Sequence, residues 1–187
     1  MAVQPLLATP TAIDGLWTVR MKTVDDERGA VRELFRASAL AEAVGAELGP
    51  WKQVNVTETR QGAIRGLHGE SMHKLVAVAA GEAFGVYVDA RVGSPKFGTV
   101  VTVELGPSVQ VLVPPGVCNG FQSVSPGSTQ YIYCFDREWE PDMDGVAVHP
   151  LDPALGIAWP IAIDRTDRRL LSAKDAAQPP LAALRAG

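Results

Sequence analysis

Two of the three histidines of this chain lie in one short stretch, RGLHGESMHKLV (65–76), between an arginine and a lysine. Near neutral pH a histidine can accept a proton or bind a metal ion. Removing a proton from a carbon next to a ketone needs such a base, together with a cation or donor for the enolate oxygen. His68 is therefore a candidate base, with Arg65 and Lys74 near it, although periodicity alone slightly favours an ordinary barrel histidine. We expect His73 to face solvent.

A metal site is the weaker explanation of these histidines. Metal sites in β-barrels of this kind need several ligands that converge from neighbouring strands, such as a His-x-His pair with a carboxylate and a third histidine. His68 and His73 are five residues apart, so on one strand they would face opposite sides. His149 lies beside Pro150, near a loop. We therefore expect no metal and no cofactor.

The middle of the chain consists of short apolar segments that alternate with Gly/Pro turns. Residues 74–91 are predicted to form two strands that turn at Gly81–Glu82, and further strands are expected over 97–105, 109–116 and 129–136. This spacing predicts an all-β fold, an antiparallel β-barrel of jelly-roll type, whose inward side chains can converge in a pocket.

Helices are expected only at the periphery of the barrel. Residues 37–48 have a helical pattern with Ser38 as the N-cap, and residues 172–177 carry a Ser-x-x-Asp capping pattern before two prolines. We expect residues 1–187 to form one domain, the barrel with an arm at each end.

Composition narrows the function further. The formal charge of −4 comes without a basic stripe, which argues against a nucleic-acid partner but permits an anionic small ligand held by two or three arginines. No segment approaches the ~20 apolar residues of a membrane-spanning helix, and the N-terminus does not have the pattern of a signal peptide. Two cysteines are too few for a disulfide scaffold. The expectation is a cytoplasmic protein.

Seven segments resemble, in order, the motifs of the dTDP-4-dehydrorhamnose 3,5-epimerase family. They extend over nearly the whole chain, from about residue 14 to 181: DDERGAVRE (25–33), QVNVTET (53–59), RGLH with KLV (65–76), VDARVGSPKFG (88–98), VPPGVCNGF (113–121), PLDPALGIAWP (150–160) and LSAKD (171–175). The resemblance implies a cupin-like jelly roll with short peripheral helices, a homodimer that needs no metal, and an N-terminal segment (14–35) that reaches the partner's pocket.

The resemblance also implies a reaction. Such enzymes act on a dTDP-4-keto-6-deoxyhexose: a histidine held by an aspartate removes a proton next to the ketone, and a tyrosine on the opposite face returns one. By motif match His68 is the base, Asp152 holds its other ring nitrogen, and Lys74 stabilises the enolate oxygen. The residues that match substrate contacts are Arg28 and Arg65, toward the diphosphate and sugar, and Glu33, Gln53 and Asn55 elsewhere in the pocket.

Two positions depart from the family motifs. In YCFDREW (133–139), Trp139 stands where the proton-donating tyrosine is expected, and Asn119 replaces a pocket histidine. An indole N–H does not act as an acid near neutral pH, so the sequence predicts inversion at carbon 3 alone. Two alternatives stay open: isomerisation or decarboxylation of the same sugar nucleotide, and a cupin that binds a sugar nucleotide without catalysis.

Overall fold

The computed structural model describes residues 1–185, and Ala186 and Gly187, at the end of the predicted domain, lie outside the described residues. The strands, in chain order, are β1 (Ala2–Gln4), β2 (Leu7–Pro10), β3 (Trp17–Arg20), β4 (Lys22–Asp26), β5 (Gly29–Glu33), β6 (Gln53–Arg60), β7 (Ile64–Glu70), β8 (Lys74–Ala80), β9 (Ala83–Asp89), β10 (Val100–Leu105), β11 (Val109–Val113), β12 (Val117–Ser123), β13 (Ser128–Phe135) and β14 (Gly145–Ala147). The α-helices are α1 (Ala37–Val44) and α2 (Ala173–Ala176), and 3-10 helices cover Pro153–Leu155 and Leu181–Arg185.

Two antiparallel sheets form the body of the molecule. One has the order β10-β9-β12-β7-β14 and the other the order β2-β3-β11-β8-β13-β6. Apolar residues of β8, β9, β11, β12 and β13 pack into one buried cluster, in which the rings of Phe121 and Tyr131 stack at 3.9 Å. The alternation of the predicted strands produces this arrangement because every second side chain faces the interior. The predicted all-β jelly roll is confirmed.

Each sheet also has a covered outer face. The C-terminal segment packs Leu155 and Leu181 against Val86 and Val88 of the five-stranded sheet. Helix α1 packs Leu40 onto the other sheet. Burial on both faces explains why β8 and β12 are almost wholly buried. The C-terminal segment is thereby held against β7 and its neighbours, where it can contribute to a site.

The predicted elements agree with the structure in type and differ at their ends. The hairpin over 74–91 is present as β8 and β9, with Gly81 at φ +80° in its turn. The strand expected over 109–116 stops at Val113 because two prolines follow. Helix α1 ends at Gly45 in the left-handed conformation, but its N-cap is Arg36, without a side-chain cap, so the prediction of Ser38 as N-cap was wrong.

The N-terminal arm contains strands that the sequence did not indicate. Strands β1, β4 and β5 form a separate three-stranded sheet. Its outer strand β5 exposes Val31 to solvent, while Arg32 donates hydrogen bonds to the carbonyls of Pro107 and Ala79 on the barrel. None of the helices within residues 1–185 has the length and apolar character to cross a membrane.

Candidate active site

A cavity of about 550 Å³ opens beside β7 and β13. Charged and polar side chains from several elements converge on it. They include Asn55, Arg65, His68, Glu70, Lys74, Asn119, Tyr133, Trp139 and Lys174. A neighbouring cavity of about 490 Å³ shares Arg65, His68, Tyr133 and Lys174 with it and adds Arg60, Arg168 and Arg169. The two cavities form a groove with an acid–base group in the middle and positive charge toward one end.

Close approach of two strands places His68 in this groove. A Cβ atom on Gly66 would lie 2.6 Å from the Cα of Gly120 and 2.8 Å from the carbonyl oxygen of Asn119. Gly66 also has φ +118°, which side chains other than hydrogen rarely allow. The β7–β12 register is irregular here, and Asn119 lies directly opposite His68. The glycine in RGLH, Gly66, therefore permits the close backbone contact that places His68 beside Asn119.

The imidazole of His68 is held by Asp175. His68 Nε2 and Asp175 Oδ1 are 2.8 Å apart, and Asp175 is 5% exposed. Burial opposes ionisation of this carboxyl, but the hydrogen bond and charge of His68 and a hydrogen bond at Ser172 outweigh it and lower the pKa of Asp175 below its ordinary value. An ionised carboxylate at one ring nitrogen fixes the orientation of the ring and leaves Nδ1 for chemistry.

Asp152 does not hold His68, so that prediction was wrong. Its Oδ1 accepts from the backbone N–H of Ala154, 3.0 Å away, and its Oδ2 from that of Leu181, 2.8 Å away. Asp152 is the N-cap of the 3-10 helix Pro153–Leu155 and ties it to the C-terminal segment. The carboxylate has both oxygens engaged by backbone donors and is a structural residue.

We expect Asp152→Ala to lower stability without changing the chemistry. The variant loses a cap and leaves the buried N–H of Leu181 without an acceptor, which together cost about 2 kcal/mol. For a domain of this size that corresponds to a melting temperature lower by roughly 4–8 °C. Calorimetry checks the shift, and turnover per folded molecule should stay within about threefold. A variant that folds normally but has lost turnover would return Asp152 to the site.

Lys74 lies in the cavity and is only 2% exposed. Its ammonium donates to the carbonyl oxygen of His68 at 3.0 Å and to the carboxylate of Glu70. Burial raises the pKa of Glu70, but the charge and hydrogen bond of Lys74 and the charge of His68 prevail, so the net pKa lies below the ordinary value. Lys74 is thus bonded to two residues at the end of β7, His68 and Glu70.

The tyrosine of the site is Tyr133, which the sequence analysis overlooked. Tyr133 lines both cavities with His68, whereas Trp139 is 42% exposed at the cavity mouth. Burial raises the pKa of the Tyr133 hydroxyl; the charge of Arg65 opposes the rise, and those of Glu70 and Asp175 add to it. The hydroxyl is therefore protonated at neutral pH and can act as an acid. The sequence placed Trp139 at the position of the proton-donating tyrosine; the structure shows that the cavity contains a tyrosine, Tyr133, in addition to Trp139.

Three other predicted residues line the main cavity, and one supports its wall. Arg65, Asn55 and Asn119 face the cavity, and Arg65 Nε donates to Thr59 at 2.8 Å. Gln53 does not line it; its side chain accepts from the backbone N–H of Trp139 and donates to Asn55 Oδ1. Gln53 therefore anchors the loop that follows β13.

Arg28 and Glu33 lie outside the cavities of this chain. Arg28, in the turn between β4 and β5, pairs with Asp26 at 2.6 Å, and Glu33 pairs with Arg36 at 2.6 Å. Both pairs are solvent-exposed, so they add little to stability. A single chain does not bring these predicted residues to the site.

The remaining histidines are also outside the cavities. His73, expected to face solvent, is half-exposed and bonds Asp136 through Nδ1 at 3.0 Å. His149 Nδ1 accepts from the backbone N–H of Leu151 at 3.0 Å. Within the described range 1–185, no three His, Cys, Asp or Glu side chains are grouped as metal ligands.

Comparison with known proteins identifies the family. The sequence model of the dTDP-4-dehydrorhamnose 3,5-epimerase family matches residues 10–183 of this chain. A dTDP-4-dehydro-6-deoxyglucose 3-epimerase of Streptomyces bikiniensis is 34% identical over 181 residues, covering 92% of this chain and 88% of the relative.

Two solved structures have the same fold. One is NovW, a 4-keto-6-deoxy sugar epimerase from the novobiocin biosynthetic gene cluster of Streptomyces spheroides. Its TM-score is 0.88 at 30% identity, and the match covers 98% of this chain and 91% of NovW. A dTDP-6-deoxy-D-glucose-3,5-epimerase of Legionella pneumophila, in complex with dTDP-4-keto-L-rhamnose, has a TM-score of 0.85 at 35% identity, with 96% and 97% covered. The family match agrees with the sequence motifs and with the cavity that holds the hydrogen-bonded His68–Asp175 pair, the dyad of this site. This chain belongs to the dTDP-4-dehydrorhamnose 3,5-epimerase family.

Proposed function

We propose that this protein is an epimerase of a dTDP-4-keto-6-deoxyhexose in deoxysugar biosynthesis. The observation that carries the proposal is the His68–Asp175 pair, at 2.8 Å, facing a cavity that also holds Lys74 and Tyr133. An imidazole oriented by a buried carboxylate is suited to abstract a proton, whereas simple ligand binding does not need one. Relatives with 3-epimerase activity in their names act on this substrate class.

The reaction follows from the groups in the cavity. His68 takes the proton from carbon 3, the electron pair of the C–H bond moves into the enolate of the 4-ketone, and the ammonium of Lys74 offsets the developing charge. Tyr133 then donates its hydroxyl proton to carbon 3 from the other face, which inverts the centre. Solvent returns a proton to Tyr133 and removes one from His68.

Carbon 3 is the proposed site of inversion. Support comes from the 3-epimerase of Streptomyces bikiniensis, one of the relatives at 34% identity. Trp139 gives no support for carbon 3, because Tyr133 supplies an acid inside the cavity. The half-exposed indole of Trp139 at the mouth offers a flat surface for the nucleobase, and Arg65 and Lys174 are placed for the diphosphate.

Solvent exchange tests the function directly. The protein is incubated in deuterated water with dTDP-4-keto-6-deoxyglucose, and the sugar protons are followed by NMR. Deuterium at carbon 3 with a 3-epimer as product supports the proposal. A rearranged or decarboxylated product would favour another reaction at the same cavity, and binding without exchange would indicate a cupin that only binds sugar nucleotides.

We also propose a homodimer in which the arm of one subunit completes the site of the other. Arg28 and Glu33 lie in the arm, away from the cavities of their own chain. Strand β6 is an edge of its sheet and exposes Val54 and Val56, and β5 exposes Val31. Exposed apolar edge strands invite pairing with another chain.

Co-expressed variants test this assembly. Arg28→Ala and His68→Ala each damage the site, but a mixed dimer contains one site with both residues intact if the arm crosses between subunits. We expect the mixture to recover about a quarter of wild-type turnover, since about half of the dimers are mixed and each has one good site. A monomer in sedimentation, or a mixture no better than its components, would contradict the crossed arm.

A further inference from the structure

Glu70 is a half-buried carboxylate that lines the cavity and that the proposed reaction does not use. It ends β7, two residues after His68, and its side chain is 18% exposed. Its carboxylate accepts from the ammonium of Lys74, which starts β8. The pair therefore joins the two ends of the short turn between the base and the lysine.

Lys74 needs this partner because of its burial. With 2% of the residue exposed, its ammonium has little contact with water, and a buried charge without a counter-charge is strongly destabilised. Its hydrogen-bond acceptors within residues 1–185 are the carbonyl of His68 and the carboxylate of Glu70. The carbonyl orients the ammonium, and Glu70 supplies the negative charge.

Among the described residues of the cavity, no other carboxylate is paired with Lys74. The charged or titratable residues that line the cavity with Lys74 are Arg65 and His68 on β7, Tyr133 on β13, Glu140 in the loop after β13, and Lys174 on α2, and Lys74 also acts electrostatically on Cys118 of β12. The cations Arg65 and Lys174 oppose a second positive charge, and Glu140 is solvent-exposed. A neutral residue at 70 would leave the Lys74 ammonium with the carbonyl of His68 but without a paired carboxylate.

We propose that Glu70 is a positioning residue: it holds the Lys74 ammonium against the carbonyl of His68, so that the base and the enolate-stabilising cation face the substrate together. The proposal rests on the proposed function, because it assigns a role within that reaction. Glu70 itself does not touch the reacting carbon. Its effect passes through Lys74, and it therefore vanishes when Lys74 is removed.

A double-variant cycle tests this dependence, with carbon-3 deuterium exchange and turnover as readouts. We expect Glu70→Gln to lower kcat by at least tenfold and to change KM by less than about threefold. In the Lys74→Met background the same Glu70→Gln change should have an effect smaller than about twofold. Glu104→Gln, on exposed β10, is the matched control.

The outcomes separate this inference from the proposed function. Wild-type protein without any exchange would remove the function. Exchange by wild type with an unaffected Glu70→Gln, or an equal loss in both backgrounds, would show that Glu70 does not act through Lys74. If Glu70→Gln does not fold, the double variant Glu70→Gln/Lys74→Met, which removes both charges, is compared with Lys74→Met. Unequal turnover of these two variants would overturn the proposal.

Discussion

His68→Ala should abolish exchange at carbon 3 while leaving substrate binding nearly intact. The imidazole acts on the transition state more than on the bound ground state, and a positioned general base contributes about 10²–10⁴-fold. We therefore expect exchange to fall by about three orders of magnitude, and affinity for the sugar nucleotide to change by less than about tenfold, roughly 1.4 kcal/mol. NMR in deuterated water and calorimetric titration measure the two quantities.

Asp175→Asn and His73→Ala sharpen this result. An amide at 175 removes the charge that orients His68, so exchange should fall by about 10–100-fold with unchanged affinity. His73 also bonds an aspartate, Asp136, but lies outside both cavities. It is therefore a matched histidine control, for which we expect exchange within about threefold of wild type. Wild-type exchange by His68→Ala would assign the base elsewhere.

The pKa of Asp175 adds a dependence of stability on pH. Its folded-state pKa is lowered, so its contribution is complete above the unfolded value near 3.9 and is lost as pH falls through the folded pKa. Glu70 behaves in the same way, because its pKa is also lowered. Acid therefore weakens the dyad and the Glu70–Lys74 pair together.

The sequence was sufficient for the barrel and for part of the site. Strand alternation gave β8 and β9, and the spacing in RGLHGESMHKLV put His68 and Lys74 in the same cavity. These predictions succeeded because residues close in sequence, or in phase along a strand, keep that relation in the fold. The ends of the predicted strands and helices differed from the structure where a proline or a helix cap determined them.

Asp175 shows why the partner of His68 was missed. The Ser-x-x-Asp pattern was interpreted as a capping box, and Ser172 does cap α2 by accepting from the N–H of Asp175. The carboxylate of Asp175 instead points to His68, 107 residues away in sequence. Local pattern gave the backbone role correctly, whereas the side-chain contact depends on how the C-terminal segment docks, which spacing does not encode.

Tyr133 raises a different difficulty. The motif contains an aromatic residue at 133 and another at 139, six apart, and only the folded chain reveals which one enters the cavity. Strand β13 carries Tyr133 between β8 and β6, while Trp139 follows in the loop tied by Gln53. The hydrogen bonds to neighbouring strands fix the position of a strand residue, whereas a loop residue has no such bonds to fix it. The deeper position belongs to the strand residue.

Tyr133→Phe should separate proton exchange from inversion. The variant keeps the ring, which packs at 4.9 Å from Tyr131 and 5.9 Å from Phe135, and removes only the hydroxyl. His68 can still take the carbon-3 proton, exchange it with solvent and return it to the same face. Deuterium should therefore enter at carbon 3 at close to the wild-type rate, while formation of the 3-epimer falls by about 10²-fold or more.

Tyr131→Phe is the matched control for that experiment. The Tyr131 hydroxyl is buried next to that of Tyr87, and Tyr131 does not line either cavity. Its removal should therefore leave inversion unchanged. If Tyr133→Phe inverts carbon 3 at the wild-type rate, the proton on the far face comes from another donor, such as water. Loss of both exchange and inversion would instead mean that the hydroxyl acts before the enolate forms, and that its role is to bind the ketone.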